Sequence, residues 1–188
     1  MTTIRTSTSH PILVDWIMGV ADGRIGLTFA PGKHSTSFYS PGVLWRRDLG
    51  LDLDELLRLG VTDLVCLLLE SDLQALGIPH LLREAAARGL RGHWLPIPDG
   101  SVPPSQDDLD ALLATLRQRL TEGASVVIHC EGGKGRTGVV AGCLLVSLGV
   151  SVPEALDRLN EARGPGCPQN GIQRAFIERF AHRAARVR

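Results

Sequence analysis

The sequence predicts an α/β fold with a central, largely parallel sheet flanked by helices. Three observations carry this. Short apolar strand runs alternate with helical segments along the chain. The runs "VTDLVCLLL" and "SVVIH" are apolar at nearly every position, as strands covered on both faces are. A glycine-rich loop, "HCEGGKGRTG", follows the second run and opens a helix.

The elements follow in order. "PILVDWIMGVADGRIGLTFAPGK" reads as two short strands about an Asp22-Gly23 turn, closed by Pro31-Gly32. Residues 33–43 are rich in Ser, Gly and Pro and read as a loop. Residues 52–60 form a short amphipathic helix ended by Gly60, and the "VTDLVCLLL" strand comes next. "IPHLLREAAARG" is a helix stopped at Gly89, and "LRGHWLPI" is a strand. A loop then runs into a helix over 105–122, with Ser105 as N-cap and Asp108 three residues on. After "SVVIH" and its loop come a helix over 136–149, a helix from Ser151 with Glu154 completing a capping box, and a last helix after "PQNG". No repeat or long linker divides the chain, so residues 1–188 are expected to form one domain, with 1–22 as an N-terminal extension and edge strand.

Composition excludes several classes. The 188 residues carry 20 basic and 20 acidic side chains, so no nucleic-acid footprint is expected over the whole chain. Arginines crowd the last helix (Arg174, Arg179, Arg183, Arg186, Arg188) and read as a solvated face. The most apolar stretch, Val139 to Val150, is about 12 residues long, too short to span a bilayer. The N-terminus lacks a signal-peptide core, so a reducing cytoplasm is expected. Of four cysteines, Cys66 and Cys143 sit in apolar runs and read as core, and no CxxC pair suggests a structural metal. Nothing points to an oligomer, and a monomer is expected.

The glycine-rich loop carries the chemistry. It leaves the carboxyl edge of the sheet, where open α/β sheets bind ligands. Backbone N–H groups there lack helical partners, and the helix dipole favours an anion. Glu131, Gly132, Gly133, Lys134 and Gly135 would curl those N–H groups around one centre. Cys130 begins the loop with its sulfur facing the bound anion, and the same field favours the thiolate. Arg136 ends the loop, and its planar fork can grip two oxygens of a tetrahedral dianion. Thr137 can hydrogen-bond the thiolate, and His129 is expected to fix the loop backbone rather than act as a base. The loop is not a nucleotide P-loop, because arginine rather than lysine precedes Thr137.

Displacement at phosphorus needs a proton for the leaving oxygen, since even tyrosine phenolate has a pKa of about 10. Asp99 fits the donor: it follows a strand that would end at the same sheet edge, 31 residues before Cys130. No metal or cofactor is then required, because Arg136 and the backbone supply the charge stabilisation.

The residues "HCEGGKGRT" fit the signature HCxxGxxR[ST], and the chain resembles the cysteine-dependent protein phosphatases of the dual-specificity branch. It is most similar to the cyclin-dependent-kinase-associated phosphatase (cyclin-dependent kinase inhibitor 3-like) family. The likeness extends to "GRIGLTFAPG", "LRLGVTDLVCLL" and "IPHLLREAAARGLRGHWLPIPDGSVP", about residues 23–180 in all. The resemblance implies a phosphotyrosine protein phosphatase II fold and a two-step reaction through a phosphocysteine at Cys130, with Asp99 as acid and then base. It also implies a phosphorylated protein or peptide substrate. "PQNGIQ" resembles the family's late glutamine-bearing segment, so either Gln169 or Gln173 would position the water.

Three other readings compete. Glu131 would repel a phosphoinositide headgroup while Lys134 would attract it, which weakens a lipid or small-metabolite substrate. A non-catalytic phosphate-binding module should lack the nucleophile or the acid, and both are present. Sulfur transfer disagrees with the Cys-x5-Arg-Thr spacing. The chain has one tyrosine, Tyr39, and no aromatic segment of the kind that walls a deep phosphotyrosine pocket, so a shallow pocket is expected.

Overall fold

The computed structural model describes residues 2–37 and 40–186, so Tyr39 and Arg188 lie outside the described residues. A five-stranded sheet takes the order β2 (Asp15–Ile17), β3 (Arg24–Phe29), β8 (Ser125–Cys130), β6 (Asp63–Cys66), β7 (Arg91–Trp94). Only the β2–β3 pair is antiparallel; β3–β8, β8–β6 and β6–β7 are parallel. The largely parallel sheet is therefore as expected, with β2 at one edge. The antiparallel pair comes from the Asp22-Gly23 turn, too short for a crossover.

Alternation along β8 divides the core. Val126, Ile128 and Cys130 face one apolar cluster, and Val127 faces the other. The first cluster is closed by α4 (Gln106–Thr121), α5 (Gly135–Ser147), α6 (Val152–Arg163) and α7 (Gly171–Arg186). The second is closed by α1 (Leu49–Arg58), α2 (Glu70–Ala75) and α3 (Leu81–Ala87). Cys130 thus lies on the α5 side of the sheet. Cys66, paired in register with His129, belongs to the opposite cluster.

Helix ends follow local chemistry. Ser105 accepts a bond from Asp108 N at 3.1 Å. Gly60 takes a φ of +78° just beyond α1, as only glycine does at low cost. At α6, Ser151 accepts from Glu154 N at 3.4 Å, but the expected return bond is not made: the Glu154 carboxylate takes Arg158 instead, at 2.7 Å.

The sequence reading needs one substantial correction. Residues 33–43 are not simply a loop. β4 (His34–Thr36) pairs antiparallel with β5 (Val43–Arg46), and β5 pairs parallel with β1 (Thr3–Arg5) in a separate three-stranded sheet. A buried ion pair anchors this sheet beside the main one. Arg47 Nε and Nη2 each donate to Asp52 at 2.7 Å, and Gly32 N adds a third bond to that carboxylate at 2.8 Å. Helix α2 is the other unexpected element; it follows directly after the apolar run 61–69, where the sequence reading placed no element.

Candidate active site

β8 delivers Cys130 to the sheet's carboxyl edge, and α5 begins five residues later at Gly135. The intervening loop curls tightly. Gly133 has a φ of +73°, and a Cβ there would stand 2.2 Å from the Thr28 carbonyl oxygen of β3. Only a glycine fits. The curl aims the Gly133 N–H at Cys130 Sγ, at 3.3 Å. Cys130 is 4% exposed, with its sulfur at the floor of the cup formed by the loop.

The outward-facing carbonyls are held from outside. Arg163, the last residue of α6, donates from Nε to Gly133 O at 3.0 Å and from Nη2 to Gly132 O at 2.9 Å. Its Nη1 is fixed by Asp15 of β2 at 2.6 Å. Lys33 Nζ donates to Glu131 O at 3.1 Å, and Lys134 Nζ to Pro165 O at 3.2 Å. With the carbonyls of Glu131, Gly132 and Gly133 engaged in this way, the Gly133 N–H turns inward to the sulfur.

Arg136 lies in the first turn of α5 and is 2% exposed. Nη1 donates to Asp72 Oδ2 at 2.7 Å and to Ile97 O at 3.2 Å, and Nη2 lies 3.1 Å from Asp99 Oδ1. Burial alone would lower its pKa, but the negative charges of Cys130, Asp72 and Asp99 hold it above the ordinary arginine value. Nε is buried and makes no bond within the protein. A buried guanidinium with an unengaged N–H beside a thiol is a receptor for an oxyanion.

Asp99 follows β7, and its side chain is 81% exposed. Its loop is tied to the start of α7. Asn170 Nδ2 donates to Gly100 O at 3.0 Å, and Gln173 Nε2 to Ser101 O at 3.0 Å. The two glutamines separate here. Gln173 is fully buried and takes the Gln169 N–H on its Oε1 at 3.1 Å, so it builds the loop. Gln169 is exposed and lines the cavity at the mouth of the site.

His129 is fully buried, and burial pushes its pKa down to about 4, so the imidazole is neutral. Its Nδ1 lies 3.4 Å from the Cys130 carbonyl, in keeping with a part in fixing the loop backbone. Thr137 departs from expectation. Its buried hydroxyl makes no hydrogen bond, so the thiol's donor is the Gly133 backbone, not Thr137. Burial pushes the Cys66 and Cys167 thiols up to about 12, which leaves both unreactive.

Beside the cup opens a cavity of about 400 Å³, whose lining includes Asp99, Glu131, Gly132, Arg163 and Gln169. Phe29 and Trp45 also line it. The two rings come from different sheets and approach to a centroid distance of 5.4 Å. Arg163, Asp72 and Lys33 were not foreseen as site residues.

A family model described as a Swiss Army Knife protein, DSP-PTPase phosphatase domain (PTP-SAK), matches residues 42–170. The chain belongs to the DSP-PTPase phosphatase family. The chain is 32% identical to cyclin-dependent kinase inhibitor 3 of Sus scrofa and 31% identical to that of Homo sapiens, over 142 residues. The matched region is 74% of the chain, which spans 66% of the length of each of these curated relatives. Among solved structures, kinase associated phosphatase with its catalytic site cysteine substituted by serine has a TM-score of 0.81 at 28% identity, covering 93% of this chain and 97% of that chain. Tk-PTP in its active form has a TM-score of 0.70 at 29% identity, covering 90% and 97%. Among the described residues, no helix is long and apolar enough to cross a membrane.

Proposed function

We propose that this chain is a phosphoprotein phosphatase that hydrolyses phosphate monoesters through a phosphocysteine. The observation that carries the reading is one cluster: Cys130 Sγ under the Gly133 N–H, and Asp99 beside the Arg136 guanidinium. Cys130, as thiolate, attacks phosphorus; the P–O bond to the substrate breaks, and its electron pair takes the proton of the Asp99 carboxyl. Arg136 and the loop N–H groups stabilise the charge on the three equatorial oxygens. In the second step water attacks phosphorus, Asp99 accepts its proton, and the P–S bond breaks to release phosphate and thiolate. Gln169 positions that water from the cavity wall.

Family membership and the kinase-associated relatives support a protein substrate rather than a lipid one. So does Glu131, which lines the cavity and whose negative charge would oppose a polyanionic headgroup. The test is a panel of phosphotyrosine, phosphoserine and phosphothreonine peptides, phosphoinositides and sugar phosphates, run with the wild type and with Cys130→Ser. Hydrolysis of the peptides, abolished in Cys130→Ser while that variant still binds a phosphate analogue, is the expected result. Turnover confined to phosphoinositides or sugar phosphates would replace the protein substrate, and full activity of Cys130→Ser would remove the nucleophile.

A further inference from the structure

Lys33 stands apart from the reaction just described. It follows Gly32, whose φ of +71° and bond to the buried Asp52 carboxylate fix where the next side chain leaves the backbone. The Lys33 carbonyl accepts from Arg47 N at 3.3 Å, which joins it to the strand carrying Trp45. The side chain is thus built into the fold, only 6% exposed, and it lines the cavity rather than the surface. Its Nζ has one hydrogen-bond acceptor among the described residues, the Glu131 carbonyl at 3.1 Å. Phe29 and Trp45 flank it at 5.4 and 5.5 Å from the ring centroids.

A carbonyl and two ring faces compensate a buried ammonium only in part. No carboxylate lies within 4.0 Å of Nζ among the described residues. Burial pulls the pKa of Lys33 down to about 8, with Arg47 and Arg163 pulling the same way against Glu131 and Cys130. The cation is under-compensated where it stands. The cavity shares Glu131 and Gly132 with the phosphate cup, but neither Cys130 nor Arg136 lines it. Space beside the cup therefore remains for a part of the substrate other than the transferred phosphate.

We propose that Lys33, walled by Phe29 and Trp45, forms a second anion subsite that takes the carboxylate of an acidic residue flanking the phosphorylated residue of a protein substrate. One carboxylate suits the site better than a further phosphate does. A dianion would meet Glu131 across the same cavity, while a single carboxylate matches one ammonium, and its methylenes lie against the rings. The assignment rests on the phosphoprotein reading above and adds which phosphoproteins are preferred.

The experiment compares phosphopeptides of one sequence in which Glu or Gln precedes or follows the phosphoresidue, with wild type, Lys33→Met and Lys33→Arg. Wild-type turnover of any of them tests the phosphoprotein reading by itself. For the subsite, the readout is the Glu-to-Gln ratio of kcat/KM, in which any general loss of activity cancels. A ratio of roughly ten is expected at the better position for a desolvated charge-assisted pair. It should fall to about one in Lys33→Met and persist in Lys33→Arg. A wild-type ratio of one at both positions overturns the proposal. So does an equal loss on both peptides in Lys33→Met with the ratio intact, because Lys33 would then only brace the Glu131 carbonyl. A Lys33-dependent preference for a doubly phosphorylated inositol lipid, with none among the peptides, overturns it in favour of a headgroup subsite.

Discussion

Asp99 Oδ1 lies 3.1 Å from Nη2 of Arg136, so the candidate proton donor touches the guanidinium that would clamp the phosphate. The two residues are 37 positions apart in sequence yet share one corner of the site. An acid at that corner would reach the leaving oxygen of a phosphate held by Arg136, whose protonation limits departure of a poor leaving group. Asp99→Asn keeps the size and removes the proton. Loss of kcat should reach roughly 100-fold or more on phosphoserine peptides, and much less on an aryl phosphate with an acidic phenol. Parallel pre-steady-state measurements on the two substrate types decide it, and equal losses would assign the proton to another group.

Arg163 provides a second prediction. Among the described residues its hydrogen bonds to the loop go to the carbonyls of Gly132 and Gly133, so losing them should disturb the orientation of the cup. Arg163→Met should weaken inhibition by tungstate or vanadate by roughly tenfold, the worth of about one well-made charged hydrogen bond. Arg163→Lys should recover part of it. Inhibition constants at one pH across the three proteins are sufficient. An unchanged constant in Arg163→Met would mean that the loop keeps its shape without the brace.

The curl of the loop can be tested through its tightest glycine. Gly133→Ala places a Cβ against the Thr28 carbonyl at 2.2 Å, a backbone contact that no rotamer relieves. Gly149→Ala is the control, with a φ of +94° but nothing within 4 Å of its Cβ. The control should cost only conformational strain, on the order of 1 kcal/mol, while Gly133→Ala costs more and abolishes turnover. Denaturant melts and an aryl phosphate assay separate the two. Similar stability and activity in both variants would show that β3 and the loop yield easily.

Acid should destabilise the fold in two stages. His129 has its folded pKa lowered from 6.5 to about 4 by burial, so it contributes fully above pH 6.5 and loses that contribution as pH falls toward 4. Its full worth is on the order of 3 kcal/mol. Asp63 follows. Burial works against its charged form, but bonds from Arg119, His93 and Thr62 hold its pKa below 3.8, so its contribution is lost below that value. The Tm of the wild type should fall between pH 6.5 and 4, and His129→Gln should flatten that segment. A wild-type Tm that stays level over this range would show that the imidazole charges without penalty.

Much of the site could be read from sequence because Cys130 and Arg136 act from one loop of contiguous residues, and a local spacing carries their geometry. Asp99 was accessible one step further off, through the rule that parallel strands end at a common edge. Arg163, Asp72 and Lys33 gave no such sign. Each meets the loop or its arginine from a segment at least 30 residues away, and arginine or lysine at a helix end or loop looks like ordinary surface charge. The small sheet escaped for a different reason. Its strands are three or four residues long, too short for an alternating pattern, and are held by the Arg47–Asp52 pair rather than by a buried face. Gln169 and Gln173 were equivalent on paper, and only burial distinguishes them.

The ties from Asn170 and Gln173 to the loop bearing Asp99 join two parts of the cycle that chemistry keeps separate. The proposed proton donor, Asp99, and the proposed water guide, Gln169, belong to one hydrogen-bonded unit. Moving the start of α7 would displace both together. A compound wedged at that junction, well away from the charged cup, would slow phosphocysteine formation and breakdown together, and so inhibit the enzyme without having to mimic phosphate.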